Sequence, residues 1–253
     1  MLTPLIPPGD LIVNTWINFR KHLRTYGEFV VWFVLLRVIQ WGMAALTINF
    51  ITDRYQRFAV DALCGIPILF GSIILTVSLV DTIAKHLTDQ KIGTHATIAA
   101  GRKKLFPTLW ISILGGLIIG AGFIALIIPG IFLLIRYRYA QNFVIIDDLR
   151  GGAALTASKK LVTGRWWPVF GRILLVGVFY YVAVMFTTYL IDLIAGTVLG
   201  DPGIFFGQIT ASQNLSIAHS LVATVITATI DSLVLPLFLG ADLILWLDLK
   251  RTR

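Results

Sequence analysis

Long apolar segments separated by short polar loops constrain this chain more than any other feature of its sequence. A helix that crosses the hydrocarbon core of a bilayer, roughly 30 Å thick, takes about 20 predominantly apolar residues. Six segments follow this pattern, and the fourth is the shortest: Glu28 to Phe50, Val60 to Ile83, Leu109 to Ile128, Ile131 to Ile146, Val169 to Leu199 and Ser216 to Leu247. The sequence therefore predicts an all-α fold, a polytopic integral membrane bundle of six transmembrane helices.

The composition is that of a membrane domain rather than of a soluble one. Hydrophobic residues make up 57% of the chain and charged residues 13%, whereas soluble domains have roughly 45–50% and 25%. No polar stretch is long enough to fold around a core of its own. We therefore expect a single membrane domain over residues 1–253, with a cytoplasmic amphipathic N-terminus (1–26), the six-helix bundle (27–247) and a short cytoplasmic tail (248–253).

The basic residues are distributed unevenly around the six segments. Sixteen of the 21 Lys and Arg residues fall on one side of this threading, and only Arg54 and Arg57 fall in the loops on the other. The sixteen are Arg20, Lys21, Arg24, Lys85, Lys91, Arg102, Lys103, Lys104, Arg150, Lys159, Lys160, Arg165, Arg172, Lys250, Arg251 and Arg253. Because basic loops stay in the cytoplasm, both termini are expected there. The cations are scattered among short loops beside apolar segments, which argues against a nucleic-acid-binding protein.

The third and fourth segments are separated only by Pro129 and Gly130. This pair breaks a helix and allows a tight reversal of the chain. The two segments are therefore expected to form a hairpin rather than one very long helix.

A basic motif is repeated before two of the apolar segments. Lys103-Lys104-Leu105 precedes Trp110 with the same spacing as that between Lys159-Lys160-Leu161 and Trp166, and a looser copy precedes the first segment. The repetition predicts about three helical hairpins, each introduced by a short cationic amphipathic helix on the cytoplasmic face of the membrane.

Cationic helices of this kind bind anionic lipid headgroups, and juxtamembrane cations contribute on the order of 1 kcal/mol each. The candidate headgroup contacts are Lys21, Arg102, Lys103, Lys104, Lys159, Lys160, Arg165, Trp166 and Trp167. In the alternative interpretation these charges only set the topology, which membrane insertion requires whatever the protein does.

The segment from Gly120 to Phe170 carries a recognisable pattern. It consists of Ile127-Ile128-Pro129-Gly130-Ile131-Phe132, Arg136, Ala140, Gly152-Ala153-Ala154-Leu155, Ser158, Leu161, Gly164, Trp166-Trp167 and Phe170. This pattern resembles the glycerophosphodiester phosphodiesterase membrane-domain family and the related YciC-like bacterial proteins. The resemblance implies a six-helix integral protein of the bacterial cytoplasmic (inner) membrane. Some members carry a fused soluble phosphodiesterase domain; because this chain ends at Arg253, we expect none here and do not carry that activity over.

Charged residues within the apolar segments are the best internal indication of function, because charges are costly in a bilayer. The candidates are Arg37, Arg136, Arg138 and Asp231. Counting 1.5 Å per residue, from the outer turn at Gly130 for the two arginines and from a cytoplasmic end near Trp246 for Asp231, places the last three at similar depths. Arg136 or Arg138 is therefore predicted to pair with Asp231. Arg37 falls near mid-membrane with Gln40 one turn away, where it either faces a wet cavity or is a buried structural arginine.

The sequence contains none of the common catalytic motifs. It has a single cysteine, Cys64, and no His-Glu-x-x-His, phosphate-binding Gly-rich loop with Lys, or Gly-x-Ser-x-Gly. An intramembrane aspartyl protease needs two facing carboxylates, for which Asp192 could be paired with Asp231 or Asp242. The residues around Asp192 and Asp242 do not match that family's signatures. We therefore expect no enzyme activity, no cofactor and no metal.

Two functions fit these observations. The first is a non-enzymatic membrane protein whose cationic amphipathic helices contact anionic lipid or a protein partner and organise the membrane, with self-association also open. The alternative is a small transporter or channel-like carrier that uses Arg37, Arg136, Arg138 and Asp231.

Overall fold

The computed structural model of the protein describes residues 5–88, 90, 94–199 and 217–252. Its helices are α1 (Pro8–Lys21), α2 (Leu23–Phe50), α3 (Arg54–Leu87), α4 (Thr94–Ala125), α5 (Ile127–Tyr137), α6 (Ala140–Ile145), α7 (Gly152–Val162), α8 (Trp166–Leu199) and α9 (Ile217–Arg251). Short connections make up the rest of these ranges, so the all-α prediction is confirmed for the described residues. Lys91, Arg253 and the side chain of Asp192 lie outside them.

Five helices are long and apolar enough to cross a membrane. The qualifying stretches are Leu23–Phe50, Arg54–Leu87, Thr97–Ala125, Trp166–Ile191 and Leu221–Arg251, in α2, α3, α4, α8 and α9. They correspond to the first, second, third, fifth and sixth predicted segments. Their length follows from the uninterrupted apolar runs, since propagation of a helix adds one hydrogen bond for each residue fixed.

The prediction of a single helix from Ile131 to Ile146 is wrong. The chain forms α5 and α6 instead, with a break at residues 138 and 139. Ser158 of α7 satisfies backbone groups on both sides of this break: its Oγ donates to the carbonyl of Arg136 at 3.0 Å and accepts from the amide of Tyr139 at 3.2 Å. A buried serine thus replaces helix hydrogen bonds that are lost where the helix ends.

The reversal between α4 and α5 occurs at Leu126, which is extended (φ −168°, ψ 159°), rather than at the predicted Pro129-Gly130 pair. Pro129 lies in the first turn of α5, where a missing N–H is tolerated. Gly122 and Gly130 allow the two helices to approach: a Cβ on Gly122 would lie 3.1 Å from the Cα of Gly130. The hairpin itself is therefore present, with a different turn.

The two copies of the basic motif fold differently. In the second copy Gly164, with φ +82°, separates α7 from α8. The equivalent residue of the first copy is Thr108, which continues α4. Because a β-branched residue disfavours positive φ, the first copy forms no separate amphipathic helix but the start of a long one.

The chain divides into two compact units. Unit 1 is 1–25, 73–177 and 236–253, and unit 2 is 26–72 and 178–235. The segments of unit 1 carry eighteen of the 21 Lys and Arg residues. In unit 1, Leu11, Ile83, Tyr139 and Trp246 are fully buried.

Candidate functional site

Several helices begin or end at one end of unit 1. The rings of His22, between α1 and α2, and His86, in the last turn of α3, stack with centroids 3.8 Å apart. Lys250, near the end of α9, pairs with Asp147, just after α6, at 2.8 Å. α2 therefore begins beside the end of α3, and α9 ends beside the segment that follows α6.

Two more contacts attach α4 and the α7–α8 turn to the same end. Lys104 donates to the carbonyl of Ile145 and lies 3.3 Å from Asp148 Oδ1. Arg165 donates to the carbonyl of Thr252 at 2.7 Å. We call this part of unit 1 the basic end. Its exposed cations are Arg20, Lys21, Arg24, Arg102, Lys103, Arg150, Lys159, Lys160 and Arg251.

Three of the predicted headgroup contacts are engaged within the protein. Lys104 contacts the last residue of α6 and Asp148 after it, and Arg165 is only 6% exposed. The indole Nε1 of Trp166 donates to the carbonyl of Phe132, and its ring stacks on that of Phe170. These three residues hold helices together, which corrects the prediction for them. Lys21, Arg102, Lys103, Lys159, Lys160 and Trp167 are exposed.

The predicted surface helices differ from each other. In α1, Leu11, Thr15 and Phe19 are buried on one face. Trp16 and Ile17 are exposed beside the cations that end the helix. The apolar face of α7, with Leu155 and Leu161, is instead buried in the protein, which corrects the prediction that this helix lies on lipid. α1 therefore exposes apolar and basic side chains next to each other.

Arg138 pairs with Asp242 rather than with Asp231. Its Nε lies 3.2 Å from Asp242 Oδ1, and the two side chains are 30% and 12% exposed. The guanidinium also lies over the ring of Phe238, one turn away on α9. The pair joins the C-terminal end of α5 to α9, so the predicted partner was wrong.

The positions of these residues along the chain explain why Arg138 contacts Asp242 and not Asp231. The Lys250–Asp147 pair marks a level shared by α9 and the segment after α6. Arg138 precedes Asp147 by nine residues, and Asp242 precedes Lys250 by eight. Arg138 and Asp242 therefore lie at the same level and meet. Asp231 is eleven residues further along α9, or about 16 Å at 1.5 Å per residue. The sequence estimate placed Arg138 and Asp231 together because it counted them from opposite membrane boundaries.

Arg136 has a different environment from Arg138. Its guanidinium lies over the ring of Phe132, 5.4 Å from the centroid. Its Nε is buried and has no hydrogen-bond partner in the part of the chain that the structure describes. Phe132 stacks in turn on Trp166. Arg136 therefore belongs to an aromatic cluster rather than to an ion pair.

Sequence reasoning missed the role of Arg172. From α8 its guanidinium donates to the carbonyls of Leu5 and Ile6 at 2.8 and 2.7 Å. The amide of Ile6 donates to Asp248 of α9 at 2.9 Å. These bonds fix the chain just before α1. The sequence offered no signal for them, because the acceptors are backbone atoms more than 160 residues away.

Unit 2 contains a cavity of about 420 Å³ between α2, α3 and α9. It brings together two of the predicted intramembrane charges, Arg37 and Asp231, with Gln40. The remaining lining residues are Phe33, Leu36, Gly65, Ile68, Leu69, Ser72, Ser232 and Leu235. The structure thus gives Arg37 an open cavity, and it separates the predicted charge network into one site in unit 1 and another in unit 2.

The family model of a domain of unknown function (DUF7847) matches residues 92–233. This range contains both copies of the basic motif, the α4–α5 hairpin and Asp231. No curated protein and no solved structure matches the chain. Among the described residues, no group of three or more His, Cys, Asp or Glu side chains is placed to hold a metal ion.

Proposed function

The chain belongs to the DUF7847 family, whose function is unknown, and we propose that it is a non-enzymatic integral membrane protein that binds anionic lipid through its basic end. The single observation that carries this proposal is the set of exposed cations gathered at that end, beside the exposed apolar face of α1. We place it in the bacterial cytoplasmic membrane with both termini in the cytoplasm, because basic segments stay on that side. The resemblance to the YciC-like proteins stays a prediction.

The chemistry of α1 supports lipid as the partner. Its exposed Trp16 and Ile17 can enter the acyl margin while Arg20 and Lys21 remain at headgroup level. Lys159 and Lys160 add two exposed charges at the end of α7. An acidic leaflet attracts each such cation by about 1 kcal/mol, so several together enrich anionic lipid around the protein.

Replacing exposed cations of the basic end is expected to weaken anionic lipid binding stepwise. Lys160→Gln should reduce retention of phosphatidylglycerol about fivefold relative to phosphatidylcholine, as a loss of about 1 kcal/mol implies. Native mass spectrometry of the protein in lipid nanodiscs measures this ratio.

The matched control is Arg54→Gln, which removes an exposed cation of unit 2. It should leave the ratio unchanged. Equal losses in the two variants, or no loss in either, would show that the basic end does not select anionic lipid.

A carrier is the second candidate, because Arg37, Gln40 and Asp231 line one cavity among helices long enough to span a membrane. Small-molecule sites are mostly apolar with a few convergent polar groups, and this cavity has that character. Flux of a ligand into proteoliposomes, lost in Arg37→Gln, would favour the carrier over a protein that binds without transporting.

A further inference from the structure

We propose that the cavity of unit 2 binds a zwitterionic molecule, one that carries an ammonium group and an anionic group on an apolar body. The ammonium group pairs with Asp231 and the anionic group with Arg37.

The walls of the cavity come from one face of each of three helices. α2 contributes positions 33, 36, 37 and 40, and α3 contributes positions 65, 68, 69 and 72. These spacings of three, four and seven residues place each set on one helix face. A Cβ on Gly65 would meet nothing within 4 Å. This glycine therefore leaves space where any larger side chain would enter the cavity.

The two charges of the cavity do not neutralise each other. Arg37 and Asp231 are both exposed, and neither forms an ion pair within the ranges that the structure describes. Arg37 lies at the middle of α2, fourteen residues after Leu23. An uncompensated charge at such a position is costly in a bilayer. The contents of the cavity must therefore compensate both a cation and an anion.

A ligand of one charge sign satisfies only half of this requirement. A simple anion pairs with Arg37 and leaves Asp231 uncompensated, and a simple cation does the reverse. A molecule with one group of each sign neutralises both. The apolar lining, which includes Phe33, Leu36 and Ile68, accommodates its uncharged body.

The volume limits the size of the ligand. About 420 Å³ lies in the lower part of the roughly 300–1,000 Å³ range of small-molecule sites. This space suits a compact molecule or a headgroup rather than a whole two-chain lipid. The required chemistry occurs in a free aliphatic amino acid and in the headgroup of phosphatidylethanolamine, and experiment distinguishes these sources.

This inference supplies the ligand class of the carrier alternative and is independent of lipid binding at the basic end. Binding is therefore measured without transport, on the full-length protein in a non-ionic detergent. L-leucine is titrated by calorimetry, and phosphatidylethanolamine is compared with phosphatidylglycerol by native mass spectrometry. Phosphatidylglycerol carries the anionic group but no ammonium group.

We expect one of the two zwitterionic probes to bind the wild-type protein and to lose at least tenfold in affinity in Arg37→Gln and in Asp231→Asn. Gly65→Phe should block binding while both charges stay. Arg54→Gln, which removes an exposed cation of unit 2 outside the cavity, should leave it unchanged. Thermal melting without ligand shows which variants fold, and Asp231→Asn alone carries the test if the others do not.

Three outcomes would overturn the proposal. Neither probe binds; or a probe binds equally well to wild type and to the folded cavity variants; or phosphatidylglycerol loses as much affinity in Asp231→Asn as phosphatidylethanolamine does. An equal loss of affinity in Arg54→Gln would show that the binding depends on surface charge and not on the cavity.

Discussion

Asp242→Ala should lower the free energy of unfolding by about 3 kcal/mol, because removing one partner leaves the Arg138 guanidinium, 30% exposed, without its carboxylate. The guanidinium would keep its contact with the ring of Phe238. A cation–π contact of this kind contributes about 0.5–2 kcal/mol and does not replace the ion pair. The temperature at which half of the detergent-solubilised protein aggregates reports the loss.

The matched control is Asp231→Ala on the same helix. Asp231 is exposed and forms no ion pair within the described ranges, so its removal should change the melting temperature little. Exchanging the charges, in Arg138→Asp with Asp242→Arg, should recover part of the stability lost in either single reversal. Equal destabilisation by the two alanine variants would contradict the pairing.

Gly101→Ala is expected to destabilise the contact between α4 and α3 in unit 1. A Cβ at this position would overlap the Oγ of Ser78 and lie 2.9 Å from the carbonyl oxygen of Ile74. The overlap with Ser78 can be relieved by mutating that side chain. The carbonyl of Ile74 belongs to the backbone of α3 and moves only with the helix. Overpacking of this kind costs about 1–3 kcal/mol, and Gly101→Leu should prevent accumulation of folded protein.

Gly116→Ala provides the control in the same helix, since a Cβ there meets nothing within 4 Å. Alanine is the better helix former by about 1 kcal/mol, so this variant should melt at the wild-type temperature or above it. Adding Ser78→Ala to Gly101→Ala should restore only part of the stability, because the close contact with the carbonyl of Ile74 remains. Similar melting of the two alanine variants would show that α3 and α4 are not in close contact.

The long helices could be predicted because their signal is local. An apolar run such as Val169 to Leu199 specifies a helix of sufficient length without reference to the rest of the chain. The break between α5 and α6 could not be predicted in this way. It depends on Ser158, about 20 residues away, which bonds the backbone of Arg136 and Tyr139. Gly164 and Thr108 are an intermediate case, in which the residue type itself explains why one motif copy breaks and the other continues.

The sequence indicated which residues belong to the candidate sites, but not which residues they contact. Arg37 and Asp231 were recognised because charges are rare in apolar segments. Their common cavity depends on how α2, α3 and α9 pack, which no spacing along the chain reveals. Arg165 was predicted to contact lipid headgroups, and this prediction was wrong. It belongs to the basic motif, but its guanidinium is buried against Thr252, so composition alone does not separate headgroup contacts from structural cations.

We propose that this protein spans a membrane with its basic end in the cytoplasm, and cysteine labelling tests this orientation directly. Cys64 is the only cysteine, so Cys64→Ser provides a background for single cysteines at Lys160 and at Tyr55, which is 84% exposed. A membrane-impermeant maleimide applied to intact cells should label the cysteine at position 55 and should reach position 160 only after lysis. Labelling of position 160 in intact cells, with position 55 protected, would show the opposite orientation.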